Sequence, residues 1–202
     1  MHQTRIDESC LELSVATKPD IIVIGASTGA VGPLSVLFSD LPPLPLSAVF
    51  IVMHSGPRNP EMLRDLLQLQ CSISVSCPDD NDPIVLGHIY IARHGRHLCL
   101  EQDRIRLTDA PKEHYARPAI DVLFRSAAEA FGSRVIGIVL SGILNDGTNG
   151  MQAIKQRGGI ALVQSPDEAE WPSMPRSAIE NVAVDRVLRI AEMRDEIIRL
   201  IH

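Results

Sequence analysis

The sequence predicts an α/β fold: a doubly wound, mostly parallel sheet with helices on both faces and an antiparallel hairpin addition. Three observations predict it. Four short aliphatic runs, DIIVIGA, SAVFIVMH, RVIGIVLSG and GGIALVQS, read as strands buried on both faces. Amphipathic segments stand between them, as crossovers between parallel strands require. Residues 84–108 have a different texture, alternating apolar and polar residues around Gly95 and the EQD turn. They read as antiparallel hairpins attached to the sheet.

Taken in order, the chain opens on a polar stretch of mixed charge, MHQTRIDESCLELSVATKPD. Residues 1–19 are expected to form a separable tail ahead of one domain over residues 20–202. After the first strand, Pro33 fits the opening turn of a helix through Phe38, and LPPLPL stops that helix. NPEMLRDLLQLQ follows the second strand with apolar residues at helical spacing. PAIDVLFRSAAEAFG precedes the third, with Gly132 as its C-terminal stop, and DGTNGMQAIKQRGG links the third strand to the fourth.

Composition narrows the function. A chain of 202 residues with 45% apolar content can build a substantial core. Nineteen Lys and Arg stand against 25 Asp and Glu, a formal charge of −6, and no basic run is present to follow a phosphate backbone. Nucleic acid is therefore not an expected partner. The opening has no apolar signal-peptide core, and nothing reaches the ~18 apolar residues of a membrane span. A cytoplasmic protein without membrane insertion is expected. Cys10, Cys71, Cys77 and Cys99 form no C-x-x-C pair, which supports neither zinc nor a disulfide framework.

In parallel α/β sheets, ligands bind beyond the carboxyl ends of the strands, where loops and helix N-termini gather. Ser27 ends the first strand, His54 the second, and Asp146 follows the third. Converging there, they would supply a hydroxyl nucleophile, a base for its proton and a carboxylate to fix the imidazole tautomer. GASTG also fits the G-x-S-x-G elbow, in which small residues flank a serine at a tight strand-to-helix turn. The order Ser, His, Asp differs from the Ser, Asp, His order of α/β-hydrolases, so that topology is not implied. A dinucleotide site would need G-x-G-x-x-G, and residues 25–30 lack it. His88, His94, His97 and His114 fall in less suitable positions. Each of the three residues also has an ordinary structural role open to it: a tight turn for Ser27, a hydrogen-bonded histidine for His54, a helix N-cap for Asp146.

IIVIGASTGAVGPL, GHIYIARHGRHL, RPAIDVLFRSAAEAFGSRVIGIVLSGILNDGTNGM and MPRSAIENVAVDRVL resemble, in that order, the catalytic domain of the CheB protein-glutamate methylesterases. The resemblance runs from about Asp20 to Leu188. It implies a serine hydrolase that cleaves glutamate γ-methyl esters on chemoreceptors and releases methanol, and that in many members also deamidates receptor glutamines. It further implies Ser27 as nucleophile, His54 as base and Asp146 as the third member, with backbone N–H groups at Thr28 and Ile143 facing the oxyanion. No cofactor or metal is implied. The partner would be a methylated receptor protein, with Arg117, Arg125 and Arg176 as candidate cations beside the substrate groove.

The match departs from the family in four places. The stretch ahead of Asp20 is too short for the receiver domain of full-length members, so a free-standing esterase is expected, with activity that needs no phosphorylation of this chain and any receiver acting as a separate protein. Met53-His54-Ser55-Gly56-Pro57 stands where Q-H-M-P is usual. GILNDG replaces G-M-G-x-D-G, which puts Leu144 where glycine would give the loop its freedom. QSPDEAEWPSMP brings Trp171 toward the groove. Two other functions remain open on the sequence: a non-catalytic regulatory or binding domain that keeps the fold, and a small-molecule carboxylesterase.

Overall fold

The computed structural model describes residues 18–39, 41, 43–54 and 59–202. β1 (Ile21–Ala26) leads into α1 (Val31–Phe38), β2 (Ala48–Met53), α2 (Asn59–Gln70) and a three-residue strand, β3 (Ser74–Ser76). β4 (His88–Ile91), β5 (His97–Leu100) and β6 (Ile105–Thr108) follow, then α3 (Ile120–Phe131) and β7 (Val135–Val139). The chain closes with α4 (Thr148–Gln156), β8 (Ile160–Gln164), α5 (Ser173–Asn181), β9 (Arg186–Leu188) and α6 (Ile190–Ile201). Of the expected tail only Lys18 and Pro19 fall among the described residues.

Seven strands form the main sheet in the order β3-β4-β2-β1-β7-β8-β9. Every pairing in it is parallel. Both faces are covered, and side-chain alternation along the strands divides the core in two. Ile21 and Val23 join Phe50, Leu123, Phe124 and Met151 on one face, while Ile22 and Ile24 join Leu34, Leu67, Met193 and Ile197 on the other. The first face carries α3, α4 and α5, the second α1, α2 and α6. Because the winding reverses between β1 and β7, the switch point of the sheet lies at the carboxyl end of β1. Ser27 is the first residue past it.

Residues 84–108 divide into two structures. β5 and β6 form the expected antiparallel hairpin, which packs Leu98, Leu100, Ile105 and Leu107 into the first core. β4 instead pairs in parallel with both β2 and β3 inside the main sheet. Its alternating look comes from two polar residues that find partners indoors. The Tyr90 hydroxyl accepts the Val85 N–H at 3.0 Å and donates to the Pro83 carbonyl at 3.2 Å, and His88 Nε2 meets Ser76 Oγ at 2.8 Å. With those needs met, Ile89, Tyr90 and Ile91 are all buried.

Candidate active site

Parallel register sets the first two residues side by side. Ala26 pairs with Met53 at the ends of β1 and β2, so Ser27 and His54 each leave the sheet one residue later. The His54 N–H donates to the Ala26 carbonyl at 3.0 Å, and neighbouring strands stand about 4.8 Å apart. On its other flank, the Ser27 N–H donates to the Ser141 carbonyl at 3.0 Å, tying the β1 turn to the chain that follows β7. Gly142 lets those segments meet. A Cβ placed there would lie 2.7 Å from Ser27 Cβ and 2.1 Å from Met174 Sδ, so any larger residue would push the serine away.

Polar links fix the rest of this edge. The Ser141 hydroxyl donates to the Thr28 carbonyl at 2.9 Å and accepts the Trp171 N–H at 3.0 Å. The Ser141 N–H donates to the buried Gln164 Oε1 at 2.8 Å. The Gly142 N–H is taken by the Trp171 carbonyl at 2.9 Å. Among the described residues, the Thr28 and Ile143 N–H groups have no protein acceptor. Leu144 has φ 69° and is 60% exposed. A non-glycine residue in the left-handed region costs about 1–2 kcal/mol, which bears out the expected cost of the missing glycine.

His54 Nε2 lies 2.8 Å from Asp146 Oδ2. Asp146 is buried, and it does not take the capping role that was also open to it: the N-cap of α4 is Gly147, with no side-chain bond. Asp146 reaches instead to the start of α3, where Oδ2 accepts the Ile120 N–H at 2.8 Å and Oδ1 the Asp121 N–H at 2.9 Å. Free helix N–H groups and the helix dipole both favour an anion there. Burial alone would raise the Asp146 pKa, but the His54 and α3 hydrogen bonds outweigh it and hold the carboxyl below its ordinary value. An ionised carboxylate only accepts. Nε2 therefore carries the imidazole proton, and Nδ1 keeps the lone pair on the ring's far side.

The Ser27 hydroxyl makes no hydrogen bond to the imidazole among the described residues. Contacts of this kind commonly tighten only when substrate binds. Residues 55–58, which carry the altered segment after His54, lie outside the described residues.

One residue that the sequence left unremarked proves central. Asp121 is fully buried, and its Oδ1 accepts the Gly147 N–H at 3.0 Å and the Gly150 N–H at 2.6 Å, while Oδ2 meets His114 Nε2 at 2.9 Å. Asp146, just ahead of α4, thus holds the start of α3, and Asp121, in α3, holds the start of α4. Gly150 permits the close approach, since a Cβ there would lie 2.4 Å from Phe124 Cβ. His114, Asp121 and Asp146 bring potential ligand atoms within 4.8 Å of one another, yet the oxygens concerned already accept these N–H groups. The sequence signal for Asp121 was only an acid in a first helical turn.

Of the three arginines expected beside the groove, Arg117 lines a cleft next to His54. Arg125 is held by Glu113 at 2.7 Å, and Arg176 is exposed away from that cleft. Trp171 stands at the serine edge, where a Cβ on Gly29 would lie 2.9 Å from its ring.

Fold and geometry together define a parallel α/β domain with a serine and a His–Asp pair gathered at its switch point, the arrangement that serine hydrolases use. The family model for CheB methylesterase matches residues 22–197, and the chain belongs to that family. A Leptospira interrogans protein, provisionally named a protein-glutamate methylesterase/protein-glutamine glutaminase, is 35% identical over 90% of this chain and 94% of its own length. A Pectobacterium atrosepticum protein-glutamate methylesterase/protein-glutamine glutaminase is 35% identical over 86% of this chain, which spans about half of that longer protein. The crystal structure of the Thermotoga maritima CheB methylesterase catalytic domain matches with a TM-score of 0.88 at 29% identity, covering 91% of this chain and all of that one.

Proposed function

We propose that residues 20–202 form one catalytic unit that hydrolyses glutamate γ-methyl esters on receptor proteins. Ser27 Oγ attacks the ester carbonyl while His54 Nδ1 takes its proton, and the imidazolium then returns that proton to the departing methoxide. Methanol leaves, and the same base activates a water to free Ser27. Asp146 keeps the proton on Nε2 and balances the charge of the imidazolium. The unengaged Thr28 and Ile143 N–H groups receive the oxyanion, at roughly 3 kcal/mol for each donor in related sites. Attack by the same serine on a glutamine side chain, with ammonia leaving, gives the deamidation named in the relatives.

The observation that carries this reading is the His54–Asp146 hydrogen bond of 2.8 Å, with Asp146 seated on the α3 N-terminus and His54 in register beside Ser27. Methanol release from a methylated receptor fragment tests it, with a simple nitrophenyl ester alongside. Folded Ser27→Ala protein is expected to release none. Release by that variant would refute the nucleophile, and hydrolysis of the nitrophenyl ester alone would refute the substrate class. Adding acetyl phosphate, and separately a receiver protein, tests the expected independence from phosphorylation of this chain.

A further inference from the structure

A cleft of about 410 Å³ opens beside His54, walled by Lys112, Tyr115 and Arg117. The wall is built to stay in place. The Glu113 N–H donates to the Ala116 carbonyl at 3.2 Å and the Ala116 N–H returns to Glu113 at 2.8 Å, closing a tight turn with His114 at φ 47° and Tyr115 at φ 61°. Turning the chain there sends the His114 side chain inward to Asp121 and leaves Tyr115 92% exposed. Arg117 Nη1 donates to the Asp109 and Ala110 carbonyls at 2.9 and 3.0 Å, which fixes the guanidinium without neutralising it.

The charge pattern is the informative part. Acids outnumber bases in this chain, and most of the described cations have a carboxylate within reach, such as Arg93 on Asp79, Arg134 on Asp20 and Lys155 on Asp185. Neither Lys112 nor Arg117 has one among the described residues. The acids nearest in sequence are committed elsewhere, Asp109 to Arg96 and Glu113 to Arg125. Two uncompensated cations facing one cleft attract an anion and exclude a cation.

We propose that this cleft is a subsite for a free carboxylate that the substrate carries within a helical turn of the methyl ester. The enzyme then selects esters with an acidic neighbour. This rests on the esterase reading for its catalytic arm, and the experiment has a binding arm that does not. Two synthetic peptides are compared, each with one γ-methyl glutamate and either glutamates or glutamines at the flanking positions. Wild-type protein is expected to show a kcat/KM about fivefold higher for the acidic peptide, falling as salt is added. Lys112, exposed and without a partner among the described residues, is the safer variant: Lys112→Gln is expected to erase most of the preference and Lys112→Glu to reverse it. Equal rates for the two peptides with wild-type protein, or a preference unchanged in both Lys112→Glu and Arg117→Gln, would overturn the subsite. If neither peptide releases methanol, the esterase reading fails, and fluorescence anisotropy with Ser27→Ala protein decides the subsite alone. Tighter binding of the acidic peptide that is lost in the double variant Ser27→Ala, Lys112→Glu supports it; equal or undetectable binding of both peptides overturns it.

Discussion

Asp146 and Asp121 occupy mirrored positions, each carboxylate seated on N–H groups at the start of the other's neighbouring helix, yet their surroundings shift their pKa values in opposite directions. Around Asp146 every direction supplies a donor: the Ile120 and Asp121 N–H groups and His54 Nε2. Its pKa is held down. Around Asp121, burial is the strongest influence and the Asp146 charge adds to it, so its pKa is raised despite the Gly150 N–H and His114. Oδ1 alone takes both α4 amides, leaving Oδ2 to His114, a partner that can accept as readily as donate. A seat on helix N–H groups is thus not sufficient to lower a carboxyl's pKa. At Asp121, burial and the neighbouring Asp146 charge outweigh the hydrogen bonds.

Replacing each residue by asparagine gives the sharpest contrast. In Asp146→Asn the new NH₂ must face an N–H whichever way the amide turns, and where it faces His54 the imidazole adopts the wrong tautomer. Ester hydrolysis is expected to fall on the order of 10⁴-fold, the size of the same change in a serine-protease triad. Asp121→Asn keeps an oxygen for both α4 amides and offers an N–H to His114, so its kcat should stay within about tenfold of wild type. Steady-state methanol release from the two variants measures the gap, and comparable losses would break the contrast.

Stability against pH separates them again. The lowered pKa of Asp146 means that its contribution is present above the ordinary value of 3.8 and is lost as pH falls through the lowered one. For Asp121 the sign reverses. Its raised pKa favours the protonated form, so the stability tied to that form is present below 3.8 and lost as pH rises through the raised value. In urea unfolding over acid pH, the advantage of wild type over Asp146→Asn should grow with rising pH, and its advantage over Asp121→Asn should shrink. Slopes of one sign would refute the opposed shifts of the two carboxyls. Asp121→Ala, which leaves the buried Gly147 and Gly150 N–H groups unpaired, should cost about 3 kcal/mol at the acid end of this series and less as pH rises.

The smallest effect concerns the loop that carries Asp146. Leu144 is held at φ 69° with most of its side chain in solvent, so little burial offsets the strain. Leu144→Gly should raise stability by up to about 1 kcal/mol, less whatever glycine adds to the entropy of the unfolded chain. Thermal unfolding checks the direction. A loss of stability would mean that the leucine side chain makes contacts that outweigh its backbone conformation.

How far the sequence reached differs from residue to residue. The aliphatic runs of β1, β2, β7 and β8 were legible because a strand buried on both faces has no choice but to be apolar throughout. Ser27 and His54 were legible because each follows such a run directly, and Asp146 because it lies in the loop after the third run; the parallel register of β1 with β2 then places the first two together. β4 was read as part of a hairpin because Tyr90 and His88 look polar, and only the folded chain supplies the carbonyl and hydroxyl that satisfy them. β3 and β9, at three residues each, are too short to carry a pattern.

By itself the sequence determined the fold class and the carboxyl edge at which Ser27, His54 and Asp146 fall, because hydrophobic period and strand ends are local properties. Tertiary structure alone decided which helix Asp146 serves, that Asp121 answers it from α3, and that Lys112 and Arg117 line a cleft with no carboxylate paired to them among the described residues. Those are matters of which donors, carboxylates and solvent stand within a few ångströms in space, and partners such as Asp146 and Ile120, 26 positions apart, become neighbours only once the sheet has ordered its strands.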